Sequence, residues 1–186
     1  MFERDGYVAS RVEDIALAAG ASRATFYLHF KAKSDIAREL MGPLRDESET
    51  LYRELDTLGD PTWDELHAWV TRAMGYWRRN RAAITVVDEA VAVEPELAGY
   101  LVESAQASAN AMAGYLARWS GAERETARLR VTTFILQLER VCFLWLVRDV
   151  PFDRAGTLTA LTDSLYTALH PGCHHPAAER PPPKRD

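Results

Sequence analysis

Residues 18–35 read AAGASRATFYLHFKAKSD, and the reading of this stretch decides the fold. An alanine-rich helix end runs through Gly20 into a second short helix. That helix carries aromatics at Phe26, Tyr27 and Phe30 and basic groups at Arg23, His29, Lys31 and Lys33. No acid stands between Gly20 and Ser34, although the 186-residue chain has a net charge of -5. Upstream, Ser10 and Glu13 have the spacing of a capping box. Val12, Ile15, Ala16 and Ala19 then fall on one face of a helix that ends near Ala19. Ser22 is placed to cap the next helix, in which Phe26 and Phe30 share a face directed at Ile15 and Ala16. Two short helices joined by a tight glycine turn make a helix-turn-helix.

Outward from this unit the pattern stays helical. No segment alternates with period two over a useful length, and Gly and Pro fall mostly between helix-length segments, so the chain reads as all-α. A long helix is expected from about Ser34 to Leu58, kinked at Gly42-Pro43 because proline removes one backbone hydrogen bond and crowds the preceding turn. Thr62 with Glu65 makes a second capping box, opening a helix to about Asn80. Further helices are expected over about 82–92, 95–119 and 123–148, with Pro95 in the first turn of the second of these. Asp153 caps a last helix with a stripe of Leu158, Leu161, Leu165 and Leu169. The organisation expected is therefore a helix-turn-helix unit over 1–34, a larger helical bundle for ligand binding and dimerisation over 35–170, and a disordered proline-rich tail over 171–186.

Composition narrows the function classes. With 47% apolar and 26% charged residues, the chain can bury a core. Net acidity argues against coating nucleic acid through overall charge, but not against a local basic surface. Two distant cysteines, Cys142 and Cys173, suit a reducing cytoplasm. The apolar run from Val131 to Val147 is interrupted by Gln137, Glu139 and Arg140, which reads as a buried helix rather than a membrane span. No glycine-rich phosphate loop, G-x-S-x-G motif or paired Glu-x-x-His motif is present, so neither an enzyme nor a cofactor is expected. The cluster His170, Cys173, His174 and His175 is loosened by Pro171, Gly172 and Pro176, so no metal site is expected there either.

In a helix-turn-helix the second helix enters the major groove. With Phe26 and Phe30 directed inward, Arg23, Ala24, Tyr27 and Leu28 face out, and a carboxylate among them would be repelled by phosphates. A helical hairpin with a solvated basic face is the alternative on charge and periodicity alone. The stretch GYVASRVEDIALAAGASRATFYLHFKAKSDI, residues 6–36, resembles the DNA-binding signature of the TetR family of transcriptional regulators. The features that carry the resemblance are the Ile-Ala-x-x-Ala-Gly core, the Ser-Arg-x-Thr-Phe-Tyr-x-His-Phe helix and the lysine after it. Residues 136–152, LQLERVCFLWLVRDVPF, are more narrowly similar to EthR-type members.

The resemblance implies DNA contacts residue by residue: phosphate at Ser10 and Lys33, bases or backbone near Ser22, Arg23, Ala24 and Thr25, and backbone at Tyr27 and His29. Phosphate contacts set register and only base-edge contacts specify sequence, which makes Arg23 the candidate reader of guanine. It also implies a homodimer through the last two helices. Such a dimer would read a palindromic operator with recognition helices about 34–36 Å apart. A small-molecule effector would control it, with repression as the expected sign. In one respect the sequence departs from the family. Only MFERD precedes Gly6, where members carry a full helix. Ile15, Phe26 and Phe30 would lose cover without it, so a start site further upstream is expected. A dimeric ligand-binding or scaffold protein that has lost DNA binding is the alternative.

In the larger unit, the helix after Pro95 carries small residues, SAQASANAMAG. Around it stand Trp69, Met74 and Trp77, then Tyr115 and Trp119, then Phe134, Leu138 and Phe143. These can pack as an ordinary core or enclose a cavity, and the resemblance favours a cavity for a small apolar molecule. Glu139 falls among apolar neighbours, where a carboxylate must be paired or protonated. It is either paired with Arg72, Arg78 or Arg140 or acts as a polar anchor for a ligand, a role open also to Asn110 and Gln137.

Overall fold

A computed structural model describes residues 2–172 of the chain, and over these it is all-α. The order is α1 (Phe2–Asp5), α2 (Val12–Ala18), α3 (Arg23–His29), α4 (Lys33–Asp56), α5 (Trp63–Arg79), α6 (Arg81–Val93), α7 (Pro95–Asn110), α8 (Ala113–Leu116), α9 (Gly121–Cys142) and α10 (Arg154–Leu169). The end of α9 widens into a π-helical turn over Phe143–Val147. The residues from Cys173 on, with the expected tail and the His174/His175 cluster, lie outside the described residues.

Helix ends follow local chemistry, with two departures from the sequence reading. The Thr62/Glu65 capping box forms: the Thr62 backbone N–H donates to the Glu65 carboxylate at 2.8 Å, and the Thr62 hydroxyl accepts from the Glu65 N–H. Asp153 accepts the Gly156 N–H at 2.9 Å at the start of α10. The Ser10/Glu13 box does not form. Arg11 stands at the start of α2 with no side-chain cap, because the Ser10 hydroxyl donates instead to the Gly6 carbonyl at 2.6 Å. The single helix expected over 95–119 is broken after Asn110. There the Asp56 carboxylate, at the end of α4, accepts the N–H groups of Gly114 and Tyr115, both at 2.7 Å. These amides start α8, and Met112 takes a non-helical ψ of 59° ahead of it. Helix α4 runs unbroken through Pro43.

Packing produces two apolar clusters. The larger joins α5, α7, α9 and α10 through Trp69, Met74, Ala105, Phe134, Leu138 and Leu165. The Leu158, Leu161, Leu165 and Leu169 stripe of α10 is buried in it, and the Trp63 indole N–H donates to Asp163 at 2.7 Å across α5 and α10. The smaller gathers Phe2, Tyr7, Ala37, Met41, Val86, Val87, Ala90 and Leu97, so it spans from the N-terminal unit to α4, α6 and α7. Each large apolar side chain buried this way contributes roughly 1.5–3 kcal/mol.

Candidate functional site

Helices α2 and α3 pack across the turn at Gly20, whose φ of +67° is the left-handed conformation that glycine adopts without strain. The Ser22 hydroxyl accepts the Thr25 N–H at 3.0 Å and lies 2.9 Å from the Thr25 hydroxyl, which fixes the start of α3. Phe26 is buried and Phe30 half-buried, their ring centroids 5.5 Å apart. The opposite side of α3 carries Arg23, Ala24, Tyr27, Leu28 and His29, all exposed together with Ser22 and Thr25. Tyr27 and Leu28 expose 47% and 82% of their surface, an apolar display turned to solvent. The Arg23 guanidinium lies 5.6 Å from the centre of the Tyr27 ring and pairs with Glu13 of α2 at 2.7 Å. Glu13 is a neighbour of this face that sequence reading missed. The acid-free window from Gly20 to Ser34 hid it, because the acid arrives from the preceding helix.

Ser10 and Lys33 are placed differently from the rest. Ser10 is buried with its hydroxyl engaged. The Lys33 ammonium donates to the carbonyls of Tyr7 at 2.7 Å and Ser10 at 3.2 Å and sits 4.1 Å from the centre of the Tyr7 ring. Both residues brace the segment ahead of α2. Tyr7 itself is fully buried: its N–H donates to Glu89 at 2.7 Å and its phenol to Glu94 at 2.9 Å. Burial and the neighbouring Glu94 carboxylate hold that phenol well above the ordinary tyrosine range. Gly6 precedes it with a φ of +79°, and a Cβ there would stand 3.0 Å from the Glu89 carboxylate. The N-terminal unit is thus hooked onto α6 and its C-terminal edge.

A cavity of about 260 Å³ opens between α4, α5, α6, α7 and α9. Its wall draws Met41 and Val87 from the smaller cluster and Tyr76, Trp77 and Phe143 from the larger, so it lies where the two cores meet. Of the residues singled out in sequence, Trp77, Glu139 and Phe143 line it. Trp69, Met74, Tyr115, Phe134 and Leu138 are buried elsewhere in the larger cluster, Trp119 packs against that cluster, and Asn110 is exposed at the end of α7. Lining residues that sequence reading did not single out include Ser48, Ile84, Tyr100 and Ser104. Their approach depends on how α4, α6 and α7 cross, and no local signal marks it.

The polar groups of this wall divide into committed and uncommitted ones. Arg45 donates to Glu49 at 2.9 Å, and Asp88 pairs with Arg140 at 3.6 Å and Arg148 at 3.3 Å. The Tyr76 phenol donates to the Leu44 carbonyl at 3.2 Å, and Ser48 shares a hydrogen bond of 3.0 Å with Ser108. Glu139 has no such partner among the described residues, and Arg140, a candidate partner in sequence, turns to Asp88. Burial pushes the Glu139 carboxyl up to about 7. Burial also pushes the Cys142 thiol up to about 12, which leaves it an inert core group. Among the described residues no group of three or more His, Cys, Asp or Glu could hold a metal ion, and no helix is long and apolar enough to cross a membrane.

Comparison with known proteins bears on the N-terminal unit. Residues 1–40 match the family described as bacterial regulatory proteins, tetR family. No curated protein and no solved structure gives a match to this chain.

Proposed function

We propose that this chain is a DNA-binding transcriptional regulator of the TetR family and that it couples operator binding to the occupancy of its bundle cavity by a small molecule. The supporting observation is the position of the cavity at the junction of the two apolar clusters, one of which carries the N-terminal unit. Helix α6 touches both: Ile84, Val87 and Asp88 line the cavity, while Glu89 holds the Tyr7 amide. A ligand shifts the equilibrium between two arrangements of α6 only by its differential affinity for them.

The proposed DNA face is the exposed side of α3. Arg23 reads a base edge, Ala24 and Thr25 lie against the groove, and Tyr27, His29 and Ser22 meet the backbone. Ser10 and Lys33 act mainly as braces, since their polar atoms are engaged within the chain. Residues 1–34 form the reading unit and 35–170 the sensing unit. A homodimer through α9 and α10 presents two reading units to a palindromic operator in the cytoplasm, with repression in the free state. Exposed Leu129 on α9 and the small side chains of Ala155, Thr159 and Ala160 on α10 suit a close helix–helix contact.

Selection of duplexes from a random pool by the full chain tests this reading. An inverted repeat with half-sites about one helical turn apart is expected. Tyr27→Ala should weaken binding to selected and unselected duplexes alike. No enrichment, or a Tyr27→Ala protein that binds as well as the parent, would overturn the proposed docking.

A further inference from the structure

The cavity wall holds one carboxylate that the protein itself does not satisfy. Arg45 is paired with Glu49, and Asp88 with Arg140 and Arg148. Glu139 faces the same space with no ion pair or hydrogen bond among the described residues. An ionised carboxylate taken from water into apolar surroundings is strongly disfavoured unless a partner compensates it. The partner missing from the protein is a cation or strong donor inside the cavity.

We propose that the cavity takes a small amphipathic cation: an amine on a compact apolar body, its ammonium paired with Glu139 and its body against Tyr76, Trp77 and Phe143. Size sets the body. A cavity near 150 Å³ accommodates a benzene, so about 260 Å³ accommodates one ring with a short alkyl arm, or two small rings. Charge sets the head group. An uncharged ligand would shut the half-buried Glu139 off from water without balancing its charge, and an anion would meet it at close range in a medium where Coulomb repulsion is weakly screened. The ring of Phe143 already has the guanidinium groups of Arg140 and Arg148 over it, at 5.4 and 5.3 Å. The incoming ammonium therefore sits on the Glu139 side, where Tyr76 and Trp77 supply aromatic wall. The geometry rests on the proposed role of the cavity as an effector site and specifies the class of effector.

The test compares three probes of similar size on the full-length protein by titration calorimetry: 4-phenylbutylamine, 4-phenylbutan-1-ol and 4-phenylbutyrate. The amine is expected to bind at least ten-fold more tightly than the alcohol, with the acid weakest. In Glu139→Gln the amine should lose that advantage while the alcohol keeps its affinity. Equal affinities for amine and alcohol in the parent protein, tighter binding of the acid, or a Glu139→Gln protein that still prefers the amine would each overturn the charge assignment. The first two would leave the cavity reading in place, because ligands still bind. Failure of all three probes to bind would overturn the effector-site reading and the charge assignment together.

Discussion

Glu13 and Arg23 stand on successive helices, 2.7 Å apart, at the face proposed to meet DNA. Both side chains are more than half exposed, so the pair adds little to stability. Its consequence lies in docking, because Arg23 must leave Glu13 before it can reach a base, and Glu13 is then brought near phosphates. Glu13→Gln should leave the melting temperature unchanged and strengthen duplex binding several-fold at fixed salt, measured by fluorescence anisotropy. Glu139 gives a stability prediction of opposite character. Its carboxyl ionises near 4.5 when the chain is unfolded and near 7 when folded. The folded state therefore binds the extra proton between those values, and stability falls as pH rises from about 4.5 to 7. Above pH 7 the full penalty is present, roughly 3 kcal/mol for a shift of this size. Glu139→Gln should accordingly melt at a higher temperature than the parent at pH 8, and the gap should close toward pH 4.

At the scale of elements, the connection from α7 to α9 shows tertiary contact overriding local propensity. The sequence from Pro95 to Trp119 is rich in helix formers and has no proline after the first turn. It breaks because Asp56 offers a carboxylate to two amides that a continuous helix would have used internally. Asp56→Ala should cost about 1–2 kcal/mol, in the range of a lost helix cap, and appear as a lower midpoint in urea unfolding. The end of α9 is a second case. Its π-helical turn places Phe143 on the cavity and lets Arg148 reach Asp88, and it closes with Asp149 at a φ of 54° against the Arg81 guanidinium. Such widened turns recur at functional sites. In the sequence this stretch reads only as the apolar end of a long helix.

At the scale of the whole molecule, the N-terminal unit meets the bundle at α4, α6 and α7, and α6 carries polar contacts to both sides. Asp88 binds Arg140 and Arg148 beside the cavity, and the next residue, Glu89, accepts the Tyr7 amide. Two sites biasing one element is the physical requirement for coupling, and the coupling proposed above runs through this helix. Glu89→Ala should release the N-terminal unit without unfolding the bundle. Amide hydrogen exchange should speed up across residues 7–30 while α5 and α9 keep their protection. Equal loss of protection in all three regions would make Glu89 a general stability residue instead.

The sequence alone determined the helical class, the helix-turn-helix with its glycine turn, the outward basic and aromatic face of α3, the burial of Phe26, and the caps at Ser22, Thr62 and Asp153. These follow from periodicity and from hydrogen bonds between residues three or four apart, which a linear reading can see. Only the tertiary structure decided which aromatics line the cavity and which fill the core, because both kinds have the same composition and spacing. It also decided that Arg140 pairs with Asp88 and leaves Glu139 alone, that Lys33 braces Tyr7, and that Glu13 meets Arg23. Each of these is a contact between elements, set by how helices cross, and neither spacing nor propensity along the chain encodes that crossing.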